Sequence, residues 1–232
     1  MTFKGRLLSK KLDDGEIGVD PDARTGEGSA KYAVSTDSII RFESTIAKNK
    51  DKKPLIVEFK GFITEMSDKY QSSWETEEVY GRMDPIGTFK STKRTISLGW
   101  TIPAFSIREA KSNFEAMRSL TAMLYPGYSS AEVTVGDNKF RTANSISKPP
   151  LIRLSYANLI KAANGDGLLG WVDGFDITPT MDMGFFIENK MQYPKVYTMS
   201  CTFNVLHEHD LGWSSGGRWI GKNAAKFPFG DK

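Results

Sequence analysis

The chain has 232 residues, 39% of them hydrophobic and 25% charged, enough apolar material to bury one generous core. Its 31 basic and 28 acidic side chains leave a net charge of +3, a near balance that gives no electrostatic case for a dedicated nucleic-acid surface. No segment approaches the roughly 18 consecutive apolar residues of a membrane-spanning helix. The Lys- and Arg-bearing stretch Met1 to Leu12 has no apolar run to serve as a secretory signal, and the single Cys201 excludes an intrachain disulfide or a thiolate metal cage.

From Met1 to about Lys31 the chain mixes Gly, Asp, Arg and Lys with few large apolar residues, which predicts an arm that orders against something else. Asp20, Asp22 and Arg24 carry a faint calcium-loop spacing, but Arg24 stands where an oxygen ligand is needed and no acidic residue closes the loop. Ser35 to Ile46 reads as a short strand or a turn of helix, and Lys48 to Pro54 as a solvated connector. Leu55 to Thr64 predicts a strand with Val57, Phe59 and Ile63 on one face and Glu58 and Lys60 on the other. An aromatic and acidic insert follows, Trp74-Glu75-Thr76-Glu77-Glu78-Val79-Tyr80, with a turn signal at Asp84-Pro85 and a new strand from Ile86.

The clearest strand is Thr95 to Ile102, where Ile96, Leu98, Trp100 and Ile102 alternate with Thr95, Ser97, Gly99 and Thr101, so a one-residue slip would expose the entire apolar set. Ser106 to Glu109 forms a capping box, in which each side chain answers the other's free amide. The helix it opens carries Ile107, Ala110, Phe114, Met117, Leu120, Met123 and Leu124 as one buried stripe and ends at Pro126-Gly127. Leu151 to Leu159 and Leu168 to Ile177 predict paired strands around the Asn164-Gly165-Asp166-Gly167 turn. Val196 to Leu206 alternates again, with Tyr197, Met199, Cys201, Phe203 and Val205 facing the core, and Leu211 to Lys232 reads as an extended arm. The 12% aromatic share agrees with a mainly β (α+β) chain.

Candidate chemistry is thin. His207 and His209, two apart at a strand end, could approach one cation, but they are the only histidines and a catalytic zinc needs a third protein ligand. Glu75, Glu77, Glu78 and Asp84 lie beside Arg82, Lys90 and Lys93, so ion pairs account for them more simply than a glycosidase pair does. No nucleophile elbow, His-Glu-x-x-His helix or phosphate loop occurs. The residues therefore predict no enzyme, no catalytic residue, no metal and no cofactor.

The run Val79-Tyr80-Gly81-Arg82-Met83-Asp84-Pro85-Ile86, preceded by Trp74 and followed by Arg94-Thr95-Ile96-Ser97-Leu98 and a helix ending Leu124-Tyr125-Pro126, resembles a family of bacteriophage tail and baseplate structural proteins. Gly170 to Gly174 and Tyr193-Pro194 through Leu211-Gly212-Trp213 extend the resemblance, which covers roughly residues 55 to 213. It implies a tail-tube-like sandwich or barrel of two packed antiparallel sheets, one main flanking helix near 106–125, and extended arms. The corresponding division is an arm and extended loop over 1–50, a β-rich domain over 51–210 and a C-terminal arm over 211–232.

The implied role is a virion component made in the host cytoplasm, a baseplate or tube-initiating ring subunit. Its partners would be other copies in a six-fold ring and neighbouring tail or baseplate proteins, with DNA only passing through the lumen and no membrane binding. A tail tube, tail completion or neck protein of the same fold is the nearest alternative, and a metal-dependent tail-associated hydrolase using His207 and His209 the more distant one. Within this reading Trp74, Tyr80, Arg82 and Asp84 are expected to form a fixed turn and an intersubunit contact, with Arg82 pairing a carboxylate where water is partly excluded.

Overall fold

The computed structural model describes residues 9–11, 17–19, 33, 36–48, 52–60, 62–129, 132–135, 138–141, 145–162, 165–220 and 227–228. The other positions, including most of the expected N-terminal arm and its Asp20, Asp22 and Arg24, lie outside the described residues. In chain order the strands begin β1 (Ser9–Lys11), β2 (Ile17–Val19), β3 (Ile39–Lys48), β4 (Pro54–Lys60), β5 (Ile63–Glu77) and β6 (Ile86–Pro103), after which comes the helix α1 (Ile107–Met123). Then follow β7 (Gly127–Ser129), β8 (Glu132–Val135), β9 (Asn138–Arg141), β10 (Ser145–Lys148), β11 (Ile152–Tyr156), β12 (Leu168–Pro179), β13 (Phe185–Glu188), β14 (Met191–Pro194) and β15 (Val196–Val205). The protein is mainly β, as expected, with one main helix.

Seven strands in the order β4-β3-β11-β12-β15-β6-β5 make one antiparallel sheet, and the short β1 and β2 extend it beyond β4, where Ile17 meets Val57 in parallel. Three two-stranded ribbons complete the architecture: β7 with β10, β8 with β9, and β13 with β14. β3 falls within the segment expected as arm and extended loop, yet it is an interior strand, with Ile40 and Phe42 fully buried between β4 and β11.

The sheet rolls. β4 and β5 stand at opposite edges of the seven strands, yet β4 ends at Lys60 and β5 begins at Ile63. Three Cα steps reach at most about 11 Å, whereas six strand spacings across a flat sheet would separate the two edges by about 29 Å. The ring contacts agree, because Trp100 of β6 lies 5.7 Å from Phe42 of β3 and 5.9 Å from Phe59 of β4. One continuous sheet thus folds into two facing layers, held at the corner by Thr101 N–H donating to the Phe62 carbonyl at 2.9 Å, and the roll is not closed. The expected single strand over Leu55 to Thr64 is instead two, whose halves form opposite edges of the seven strands and pair with β3 and β6.

β12 supplies a bend. It pairs with β11 through Leu168–Gly170 and with β15 through Gly170–Pro179, with a bulge between Asp173 and Phe175 at Gly174, whose φ is +79°. Gly170 has no room for a side chain: a Cβ there would lie 2.1 Å from the Asn204 carbonyl oxygen and 2.7 Å from the Phe203 ring.

Alternating residues fill the interior as the sequence predicts. Ile96, Leu98, Trp100 and Ile102 are buried on β6, and Tyr197, Met199, Cys201, Phe203 and Val205 on β15. Burial pushes the Cys201 thiol up to about 12, so it packs as a small apolar group. Ala116, Met117, Leu120 and Met123 of α1 join this core, while Phe114 and Leu124 pack at its margin. Half of the expected capping box forms: Ser106 Oγ accepts from the Glu109 amide at 3.3 Å, but the Glu109 carboxylate accepts from the Phe105 amide at 2.7 Å and from Lys60 at 3.2 Å. The carboxylate is buried, and Lys60 on β4 draws it toward the sheet and away from the Ser106 amide.

Candidate interaction surface

β5 and β6 pair from Ile63↔Trp100 out to Glu77↔Ile86, but β15 leaves β6 at Thr95↔Asn204. Beyond that point β5 and β6 continue as a two-stranded ribbon, Tyr70–Glu77 against Ile86–Arg94, roughly 25 Å long at about 3.3 Å per residue. The expected insert around Trp74 is therefore strand up to Glu77, with a shift of register between Ser73 and Trp74. The ribbon is exposed along its length, with Ser73 and Ser91 half-buried and only Arg94, at its root, buried.

The root is fixed by a charged plug. Arg94 is 2% exposed and gives Asp68 two hydrogen bonds, at 3.0 and 2.7 Å, while the Tyr70 ring lies over the guanidinium at 5.3 Å. Tyr70 also donates to Asp68 at 3.1 Å, and its phenol is pushed up to about 12, chiefly by burial. Phe227 meets Tyr70 edge-on at 6.5 Å and continues to Trp219 at 5.4 Å and Trp213 at 5.3 Å. Part of the C-terminal segment thus lies against the ribbon root of its own chain. Arg94 shares the apolar face of Ile96, Leu98 and Trp100 because it precedes Ile96 by two, and that spacing was the signal for a buried, paired charge.

Farther out, Trp74 and Phe89 meet edge-on at 5.2 Å and Glu75 pairs with Lys90 at 2.8 Å. At the tip the Val79 carbonyl accepts from the Arg82 amide at 3.1 Å, with Gly81 at φ +86°, as a type II turn requires. The expected fixed turn is therefore centred on Tyr80-Gly81, ahead of Asp84-Pro85. Tyr80 and Met83 are fully exposed, at 106% and 102%, and Trp74 is 60% exposed. The structure thus gathers Trp74, Tyr80, Arg82 and Asp84 on one projecting element. Arg82 and Asp84 make no ion pair within the chain among the described residues.

His207 and Glu208 follow the end of β15. The Arg153 guanidinium holds Glu208 bidentately at 2.7 and 2.6 Å and keeps its carboxyl below the usual carboxylate range. Burial first, then the Arg94 charge, lowers the His207 pKa. No three His, Cys, Asp or Glu side chains gather as a metal site among the described residues. On the outer face a cleft of about 150 Å³ is lined by Asp37, Arg41, Glu43, Arg153, Lys161 and Asp166, among others. Its cations are engaged: Arg41 with Glu58 at 2.7 Å, Arg153 with Glu208, and Lys161 with Asp37 at 3.6 Å.

Neither a family model nor a curated protein matches the chain.

Proposed function

We propose that this chain is a structural subunit of a bacteriophage tail, a baseplate or tube-initiating ring component that works through subunit contacts. The observation that carries this reading is the ribbon. An isolated two-stranded hairpin is marginally stable in water, and a long one with exposed aromatic residues and a fully exposed Tyr80 and Met83 gains order by lying on another surface. The rolled sheet supplies a fixed base from which the ribbon reaches outward. The resemblance over residues 55 to 213 supports the tail assignment, and in such an assembly the identical neighbours that a projecting arm needs are provided by symmetry.

Sedimentation of the full chain over a range of concentrations, with electron microscopy of the fractions, tests the reading. Rings or stacks that disperse on the paired substitutions Tyr80→Ser and Met83→Ser, with the circular dichroism spectrum unchanged, are expected. A chain that remains monomeric at every concentration and adds to no tail structure overturns it.

A further inference from the structure

The ribbon tip has a complement at the other end of the molecule. Between Pro179, where β12 ends, and Val196, where β15 begins, the chain makes a short 3-10 turn at Met181–Met183 and then the β13–β14 hairpin. Pro179 pairs with Tyr197 and Val196 with Pro103, so this segment sits at the Pro103 end of β6. The tip sits at the Ile86 end. The 18 residues of β6 set the two surfaces roughly 55 Å apart along the strand.

This second pole is also apolar and exposed: Met181 is 64% exposed, Met183 58%, Ile187 71% and Met191 51%. Methionines are unbranched and adapt to an incoming shape. The hairpin that carries Ile187 and Met191 is seated firmly, with Tyr193 buried edge-on against Phe114 of α1 at 5.9 Å and Glu188 paired with Lys111. Asn189 and Lys190, both with positive φ, make the tight turn.

The charges of the two poles are opposite. At the tip Glu77, Glu78 and Asp84 outnumber Arg82, whereas Lys190 and Lys195 at the methionine pole outnumber Asp182 once Glu188 and Lys111 have neutralised each other. A two-fold contact of tip on tip would set acidic groups against acidic groups, and pole on pole would oppose lysines. Head-to-tail contact satisfies both surfaces at once.

We propose that the acidic aromatic tip of the β5–β6 ribbon docks on the methionine-rich pole of a second copy of this chain. The proposal rests on the self-assembling reading above and names the partner surface for its ribbon. Because the two surfaces lie at opposite ends of β6, the contact is heterologous and propagates along the strand direction.

The test uses the full chain with one added cysteine at a time, since Cys201 is buried and its thiol is held protonated. M83C and I187C proteins are oxidised separately and then as a mixture. The mixture is expected to give a cross-linked dimer in about tenfold excess over either protein alone, falling at high salt as charge attraction is screened. Ile187→Asp, at an exposed position of the hairpin, is expected to abolish assembly of the otherwise unaltered chain. M83C linking to itself as well as to I187C overturns the proposal, as does assembly that survives Ile187→Asp but not the Tyr80 and Met83 substitutions. Either result leaves self-assembly standing with a different partner surface. Monomers throughout would instead sink the self-assembling reading itself.

Discussion

From Thr95 to Trp100, β6 runs between β15 and β5 and buries Ile96, Leu98 and Trp100 almost completely; from Ile86 to Lys93 the same strand has, among the described residues, β5 alone for a partner, and none of its residues is buried. Backbone pairing is continuous across the boundary, so the difference lies in the faces. The inner half lays its apolar face on the opposite layer of the roll. The outer half has no opposite layer among the described residues, yet with β5 it carries Trp74, Phe89 and an apolar tip. Stability is therefore concentrated in the roll and unsatisfied surface in the ribbon. Substitutions should fall on opposite sides of that division.

The largest effect belongs to the roll. Trp100→Ala removes the ring that touches Phe42, Phe59 and Phe175, and denaturant titration should show a loss of about 3–5 kcal/mol. Its counterpart on the ribbon, Trp74→Ala, should cost about 1 kcal/mol or less, because the edge-on pair it breaks with Phe89 is exposed. Equal losses would erase the distinction. At the boundary, Arg94→Ala should cost about 2–3 kcal/mol by stripping Asp68 of two charge-assisted hydrogen bonds. Arg94→Lys should recover only part of this, since an ammonium cannot reproduce the bidentate geometry.

A smaller effect is expected at the tip. Gly81 holds φ +86°, so Gly81→Ala strains the turn by about 1 kcal/mol. That strain should weaken assembly measured by sedimentation while leaving the unfolding midpoint of the roll in place. The smallest effect is one of pH. His207 has a folded pKa lowered from 6.5, so the unfolded chain takes up the proton first as the solution is acidified. Stability should be full above 6.5 and fall as pH drops toward the depressed folded value. His207→Gln should flatten that slope, and Arg94→Ala should reduce it by removing one of the charges that lower the pKa.

The parts of the roll with period-two alternation were legible in the sequence, because Ile96 to Ile102 and Tyr197 to Val205 permit only one register. The stripe of α1 and its Ser106 cap were legible for the same kind of reason. What escaped was long-range: that Leu55 to Thr64 splits between opposite sheet edges depends on partners far away in the chain, and local patterning carries no record of them. The capping box failed in one half because Lys60, which no local motif includes, competes for Glu109. Trp74, Tyr80, Arg82 and Asp84 were picked out by their mixture of aromatic, acidic and turn residues, and all four lie on the projecting ribbon. Their support from Arg94 and Asp68 is marked in the sequence only by the position of Arg94 on the core face, two residues before Ile96. The β13–β14 hairpin was missed because its turn, Asn189-Lys190, lacks the glycine that usually announces a type I′ turn.

Hydrogen exchange on the full chain, measured in dilute solution and again in the assembled fraction, addresses the contrast most directly. In the dilute chain the amides of 95–103 should be strongly protected and those of 86–93 should exchange close to the unprotected rate; in the assembly the ribbon amides should slow while the roll changes little. Ribbon amides already as protected as the roll in a demonstrated monomer, or still unprotected in the assembly, would contradict the account.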